Sequence, residues 1–379
     1  MPKVLKVGMV FDDSLDKPDG VQQYVLVLGR WLERQGHEVH YLVGETKRTD
    51  LPRLHSLSRN LKVRFNQNRM AMPLPAQAAG IRALLASEHF DVLHVQVPYS
   101  PFLAGKIITR VAPRTAVVGT FHVAPHSGLV TFANRCLRLA VTRSFRRFDA
   151  MIAAPAAADF AKKTFGVDSE RIPLPLELDQ FYHASAFPKY AKGHTVVFLG
   201  RLVERKGCAQ LLQAVAHARQ SGIWPVDTRV IICGGGPLEQ RLKAYTQEYG
   251  LVGTVSFEGY ISEADKPRYL ASADVAVYPS TGGESFGVVI LEAMAAARGI
   301  VLAGNNPGYG SILGERPDQL FDPYDVPGLA GKIAAALQNK ALRHEARAWQ
   351  RQYVRQFNTD QVGPQIIAVY NRALRKREQ

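Results

Sequence analysis

Short apolar runs rich in β-branched residues alternate along this chain with longer stretches whose apolar positions recur every three or four residues. The first pattern reads as buried strands and the second as amphipathic helices. In the first half, strands are predicted near 4–11, 37–43, 91–95, 115–120 and 149–153, with helices at 21–35, 76–88, 100–111, 129–147 and 156–165. A second cycle opens at Thr195-Val196-Val197-Phe198-Leu199-Gly200. Its further strands fall near 229–233, 254–258, 274–278, 299–303 and 318–321, and its helices at 207–220, 237–249, 264–272, 287–297 and 326–339. Regular strand–helix alternation implies parallel sheets covered by helices. Residues 171–193 hold three prolines without clear periodicity, and Phe187–Gly193 is the expected linker. The tail from about 343 to 379 reads as one or two closing helices.

A length of 379 residues favours two domains, because single cores stop growing near ~250–300 residues. The expected division is 1–186, 187–357 and a final helix over 358–379 that packs back on the first domain. Doubly wound domains place ligands outside the carboxyl ends of their strands. Two such crevices facing each other make an inter-domain cleft the expected active site. Cys136, Cys208 and Cys233 are scattered, which argues against a disulfide framework or a metal knuckle. The N-terminal run ends at Asp12-Asp13 and is broken by Lys6, so it reads as a strand rather than a leader. No window approaches ~20 consecutive apolar residues, and the expected location is the cytoplasm. A formal charge of +14 calls for an anionic partner.

The chemistry concentrates at Gly282-Gly283-Glu284-Ser285-Phe286-Gly287, which runs into the apolar stretch ending Leu291-Glu292-Ala293-Met294. A helix opening near Phe286 or Gly287 aims backbone N–H groups at whatever lies before it, which suits a phosphate. Glu284 and Glu292 would stand roughly 10 Å apart along such a helix. Carboxylates beside an anion site suit hydroxyls, so one Glu would grip a sugar and the other a ribose. Gly200-Arg201 with Glu204-Arg205-Lys206-Gly207 places Arg201 and Lys206 between a strand end and a helix start. Two cations there can clamp a diphosphate, whereas the bland alternative is a solvated turn. Asp19-Gly20-Val21-Gln22, Cys233-Gly234-Gly235-Gly236-Pro237 and Thr120-Phe121-His122 also follow strands. Each has a plain structural reading beside the functional one. The chain has no Asp-x-Asp pair, Walker loop or Gly-x-Gly-x-x-Gly fingerprint.

Glu284-x7-Glu292, Gly200-Arg201 with Lys206-Gly207, and the Gly20-Val21 loop together resemble glycosyltransferase family 4. Within it the chain looks most like the bacterial phosphatidyl-myo-inositol mannosyltransferases, on Gly20-Val21-Gln22, Phe90-Asp91-Val92-Leu93-His94, Thr120-Phe121-His122 and Gly282–Gly287. The resemblance implies a GT-B fold, two facing Rossmann-like domains, and retaining, metal-independent transfer of a hexose from a nucleotide-sugar without other cofactors. GDP-mannose is the favoured donor and UDP-glucose the next. Arg201 and Lys206 would hold the diphosphate, Glu284 the sugar hydroxyls and Glu292 the ribose. Ile261 would meet the base and Gly20 the donor phosphate, His122 would lie beside the reacting centre, and Ser285, Phe286 and Gly287 would complete the donor loop. Ile172-Pro173-Leu174-Pro175-Leu176-Glu177 and Ala297-Arg298-Gly299 depart from the family pattern.

The acceptor implied by this resemblance is a hydroxyl on a lipid such as phosphatidylinositol; a polyisoprenol-linked or soluble sugar is the alternative. Arg135, Arg138, Arg143, Arg146 and Arg147 share one half of the predicted helix 129–147, opposite Leu137, Val141, Phe145 and Phe148. That helix either docks its apolar side on the sheet or meets anionic headgroups on the inner face of the membrane, at about 1 kcal/mol per cation. Further cations, Arg53, Arg59, Lys62, Arg64 and Arg69, accompany Phe65, Met70 and Met72 in a loop-like segment. A basic nucleic-acid-binding protein is the rival from another class, and the arginine helix lacks the aromatic platform it needs.

Overall fold

The computed structural model describes residues 3–16, 20–58, 60–65, 68–73, 78–122, 144–284 and 286–379. The chain forms two compact units, one from Met1–Leu176 with Phe357–Gln379 and the other from Glu177–Gln356.

In the first unit, strands β1 (Lys6–Phe11), β2 (Glu38–Val43) and β3 (Leu54–Ser56) precede a hairpin of β4 (Asn60–Phe65) and β5 (Asn68–Pro73). Strands β6 (Val92–Gln96), β7 (Ala116–Phe121), β8 (Ala150–Ala153) and β9 (Glu170–Arg171) follow. The main sheet runs β3-β2-β1-β6-β7-β8-β9, with every pair parallel. β4 and β5 pair antiparallel outside it, with Leu61 opposite Met72 and Val63 opposite Met70. The sequence reading left this segment as a loop. Leu61, Val63 and Phe65 alternate with Lys62 and Arg64 at a strand's period of two, and the cations on the alternate positions give the segment a loop's composition.

The second unit comprises β10 (His194–Leu199), β11 (Thr228–Cys233), β12 (Val255–Gly259), β13 (Val275–Tyr278), β14 (Ile300–Gly304) and β15 (Leu320–Phe321). They are parallel, in the order β12-β11-β10-β13-β14-β15. This is the doubly wound order of a dinucleotide-binding fold, with its switch point between β10 and β13. The first unit repeats that order once its hairpin is set aside, switching between β1 and β6. Such strands are buried on both faces and read as unbroken apolar runs; Val196, Val197 and Phe198 are all inaccessible or nearly so. Phe187 and Tyr190 pack on Tyr269 within the second unit.

The closing helix Thr359–Glu378 belongs to the first unit. Thr359 N–H donates to the Leu176 carbonyl as the chain returns (2.9 Å). Gly363 then lies flat on Trp31, where a Cβ would stand 2.5 Å from the indole ring. The Trp31 indole donates to Asp360 (2.8 Å), and Tyr370 bonds His94 (2.6 Å). Among the described residues no helix is long and apolar enough to cross a membrane.

Candidate functional site

Three loops converge at the carboxyl ends of the second unit's strands. After β10 the chain passes Gly200 and the exposed Arg201, makes a single 3-10 turn over Glu204–Lys206, and enters helix Cys208–Ser221 through Gly207. Gly207 has a φ of 72°, and a Cβ there would stand 1.8 Å from the Pro279 carbonyl. Only glycine allows this loop to lie against the loop after β13. The glycine run after β11 plays a similar packing part. A Cβ on Gly234 would meet the Gly200 carbonyl at 2.0 Å, and one on Gly236 the Leu202 carbonyl at 2.4 Å. Those glycines bring backbone to backbone, which accounts for them without a ligand.

The loop after β13 carries Glu284. Gly282, Gly283 and Gly287 all have positive φ and bend this segment back over the strand ends. Ser280 hydroxyl, Arg205 and Lys206 all reach Glu284. The Lys206 ammonium lies 2.8 and 2.9 Å from its two oxygens, Arg205 donates at 2.8 Å, and Ser280 at 2.9 Å. Glu284 and Lys206 are largely withdrawn from water. Burial pulls the Lys206 ammonium below the ordinary lysine range, against the attraction of Glu284. Two cations on one carboxylate leave a positive surplus, and Arg201 adds to it. Asn306, just after β14, braces the site by donating to the Ser280 and Gly304 carbonyls (3.2 and 3.1 Å).

Helix Val288–Ala296 starts behind this loop with Gly287 at its cap, and no side chain among the described residues caps its first N–H groups. Such an end attracts an anion. Phe286 is buried at its entrance, and Ser285 lies outside the described residues. Glu292, one turn into the helix, is buried, and its Oε1 lies 2.7 Å from the Lys266 ammonium. Burial raises the Glu292 carboxyl above the usual range while Lys266 opposes the shift. The sequence reading gave Glu292 to a ribose and missed Lys266, whose pairing spans 26 positions and has no local signature. It also gave no role to Arg205, although Arg205 stands inside the basic run it singled out. Ile261 follows β12 half-buried, beside the exposed Tyr260.

In the first unit, Gly20 opens helix Gly20–Arg34, and a Cβ there would meet no described atom within 4 Å. Asp19 lies outside the described residues. His122 follows β7 and is buried, with Nε2 2.6 Å from Gln96 Oε1 and the Tyr24 ring edge-on at 4.8 Å. Its Nδ1 has no partner among the described residues. Burial lowers His122 to about 3, so its imidazole is neutral near pH 7. Gln96 then holds the Nε2–H tautomer and leaves the Nδ1 lone pair bare.

Arg135, Arg138 and Arg143 lie outside the described residues. Arg146 is exposed. Arg147 instead donates to the Ala112 and Thr115 carbonyls (2.8 and 2.7 Å) and pairs with Asp149. Among the described residues, one group of side chains that could ligate a metal, Glu38, His40 and Glu88, sits at the amino end of β2. The Lys6 ammonium, 3.0 and 3.1 Å from the two carboxylates, already occupies the place a cation would take.

Two family profiles match the chain: Glycosyltransferase Family 4 over residues 18–175 and glycosyl transferases group 1 over residues 182–353. The phosphatidyl-myo-inositol mannosyltransferase of Mycobacterium tuberculosis is 32% identical, over 97% of this chain and 96% of that protein. The GDP-mannose-dependent alpha-(1-6)-phosphatidylinositol monomannoside mannosyltransferase of the same species is 26% identical, over 91% and 93%. Among solved structures, sucrose-phosphate synthase from Thermosynechococcus elongatus superposes with a TM-score of 0.73 over 98% of this chain and 100% of that one. Its 18% identity speaks to the fold alone.

Proposed function

The chain belongs to glycosyltransferase family 4, and from that premise we propose that it moves mannose from GDP-mannose to a hydroxyl of a phosphatidylinositol-type lipid, with retention and without a metal. The observation that carries the reading is the convergence of Arg205, Lys206 and an uncapped helix on Glu284 at the β10/β13 switch point. The name of the mycobacterial relative supports the acceptor, and that of the second relative the donor.

In this reading the second unit, Glu177–Gln356, takes the donor and the first takes the acceptor. The diphosphate settles on the N–H groups at the start of helix Val288–Ala296 and draws Arg201, Arg205 and Lys206 onto its oxygens. Glu284, so released, accepts hydrogen bonds from sugar hydroxyls. Glu292, with Lys266 holding one oxygen, offers the other to the ribose. Ile261 borders the base, and Gly20 lets backbone approach the phosphate. As the bond from the sugar C1 to the diphosphate oxygen breaks, negative charge collects on that oxygen, and the cations stabilise it. The acceptor hydroxyl attacks C1 from the same face, and its proton passes to the departing phosphate oxygen. His122, being neutral, supplies orientation through its bare Nδ1, which accepts from a hydroxyl. Attachment to the membrane is peripheral, through exposed cations such as Arg146.

The test is an assay with radiolabelled GDP-mannose and phosphatidylinositol vesicles. A chloroform-soluble mannosylated product supports the reading. Transfer only to a soluble sugar, or only from UDP-glucose, would replace the acceptor or donor named here while leaving the transferase chemistry.

A further inference from the structure

The second unit carries a basic cavity of about 450 Å³ at the opposite end of its sheet from the Glu284 site. Its floor is the amino end of the strands: Asp274 directly precedes β13, and Arg298 stands two residues before β14. β14 is five residues long, so at ~3.3 Å per residue roughly 15 Å of strand separates this cavity from the transferase loops. The cavity is therefore a second place, not an extension of the first.

One wall is helix Lys340–Tyr353. Lys340, Arg343, His344 and Arg347 recur at the spacing that puts side chains on one helical face. Two of the cavity's cations are fixed by the protein itself. Arg298 holds Asp274 through two bonds (3.0 and 2.7 Å), and Arg343 caps the end of the preceding helix, donating to the Ala336 carbonyl at 2.6 Å. Lys340, His344 and Arg347 have no hydrogen-bond or ion-pair partner among the described residues. The neighbouring acid Glu345 is turned to Arg316 (3.4 Å). Four cations against one carboxylate, itself already paired, leave a surplus of three positive charges around a concave wall.

We infer that this cavity binds an anion carrying two or more phosphoryl groups, with Lys340 and Arg347 as the principal contacts and Arg298 and Arg343 as fixed positive walls. The rest of the lining, Ala191 and Gly193, offers no aromatic platform for a base. Recognition thus rests on the phosphates, whether free in solution or presented by a lipid headgroup. A volume within the ~300–1,000 Å³ range of small-molecule sites accommodates such a group. Guanidinium and ammonium groups are suited to it.

The experiment is calorimetric titration of the full chain with inorganic tripolyphosphate at low salt, in parallel with the Lys340→Ala/Arg347→Ala and Lys206→Ala variants. The surface double variant should weaken one binding event by roughly 100-fold, since each of the two lost charge-assisted bonds is worth about tenfold, and leave mannosyl transfer intact. Lys206→Ala should retain that event, which separates it from the donor site. Flotation with vesicles containing cardiolipin, whose headgroup carries two phosphates, distinguishes the sources. Binding that is lost in the double variant and displaced by tripolyphosphate assigns a lipid headgroup, whereas tripolyphosphate binding without flotation assigns a free anion. No saturable tripolyphosphate binding by the wild type, or binding equal in wild type and double variant, overturns the inference.

Discussion

The Lys206 ammonium straddles both oxygens of Glu284 in a site almost closed to water. A lysine so placed has exchanged its hydration shell for one carboxylate, and a diphosphate offers it more negative charge than that carboxylate does. The pair is thus a cation held ready for a leaving group. Lys206→Ala should lower kcat by about 10²–10³, the cost of removing one preorganised donor to developing charge. Steady-state kinetics with thermal denaturation alongside decides it: unchanged turnover in a folded variant removes Lys206 from the mechanism.

Most strands and helices were legible because parallel strands buried on both faces leave long apolar runs, and the glycines between them mark the turns. The carboxylates Glu284 and Glu292 were legible for a similar reason, since both sit in one short segment. What escaped is what depends on distance in sequence. Lys266 reaches Glu292, Gln96 reaches His122, and Arg205 meets Glu284 across a separation of 79 positions. The β4–β5 hairpin escaped because cations on alternate positions of β4 give it the composition of a loop, although Leu61, Val63 and Phe65 keep the strand period.

The Lys266–Glu292 pair predicts a strong coupling. Lys266→Met leaves Glu292 buried without its cation and should cost about 3–5 kcal/mol of stability, while the double change Lys266→Met/Glu292→Leu should recover most of it. Chemical denaturation of the two singles and the double gives the coupling directly. Additive losses would mean that the pair does not act as a unit.

Acid sensitivity should be traceable in part to His94, with the buried His122 contributing in the same sense. Burial, with a contribution from His122, lowers the His94 pKa to about 3, and His94 bonds Tyr370 and Thr120. The unfolded chain takes up its proton near the ordinary value of 6.5 and the native chain does not. Stability is therefore present above pH 6.5 and is lost as pH falls toward 3. Asp12, raised by burial to about 6, contributes in the opposite sense between its two values. The comparison between variants isolates one proton: near pH 5 the stability of His94→Gln should fall less steeply than that of the wild type, by about 1.4 kcal/mol per pH unit. Equal slopes would place the acid-sensitive group elsewhere.

Gln96 offers a test of how His122 is held. Gln96→Glu puts a carboxylate where the amide oxygen accepts from Nε2, and this should lift the His122 pKa toward neutrality. The wild-type rate should show no histidine ionisation between pH 5 and 8, whereas the variant should acquire one and lose turnover as the imidazole becomes charged. Gln96→Leu should lower kcat without creating any ionisation. Identical pH profiles for wild type and Gln96→Glu would reduce Gln96 to a packing residue.

Two glycines separate a demand made by the protein from one made by a ligand. A methyl group on Gly207 runs into the Pro279 carbonyl at 1.8 Å and forces a residue with a Cβ into φ of 72°. The conformational part alone costs about 1–2 kcal/mol, and the clash must also part the two loops that carry Lys206 and Glu284. Gly207→Ala should therefore lose both thermal stability and donor affinity. Gly20 faces open space, so Gly20→Ala should keep stability within about 0.5 kcal/mol. If the donor phosphate approaches that backbone, the same methyl group should nevertheless raise the KM for GDP-mannose. A Gly20→Ala enzyme with wild-type stability and wild-type KM would release Gly20 from the donor site, since no atom of the described residues within reach requires a glycine there.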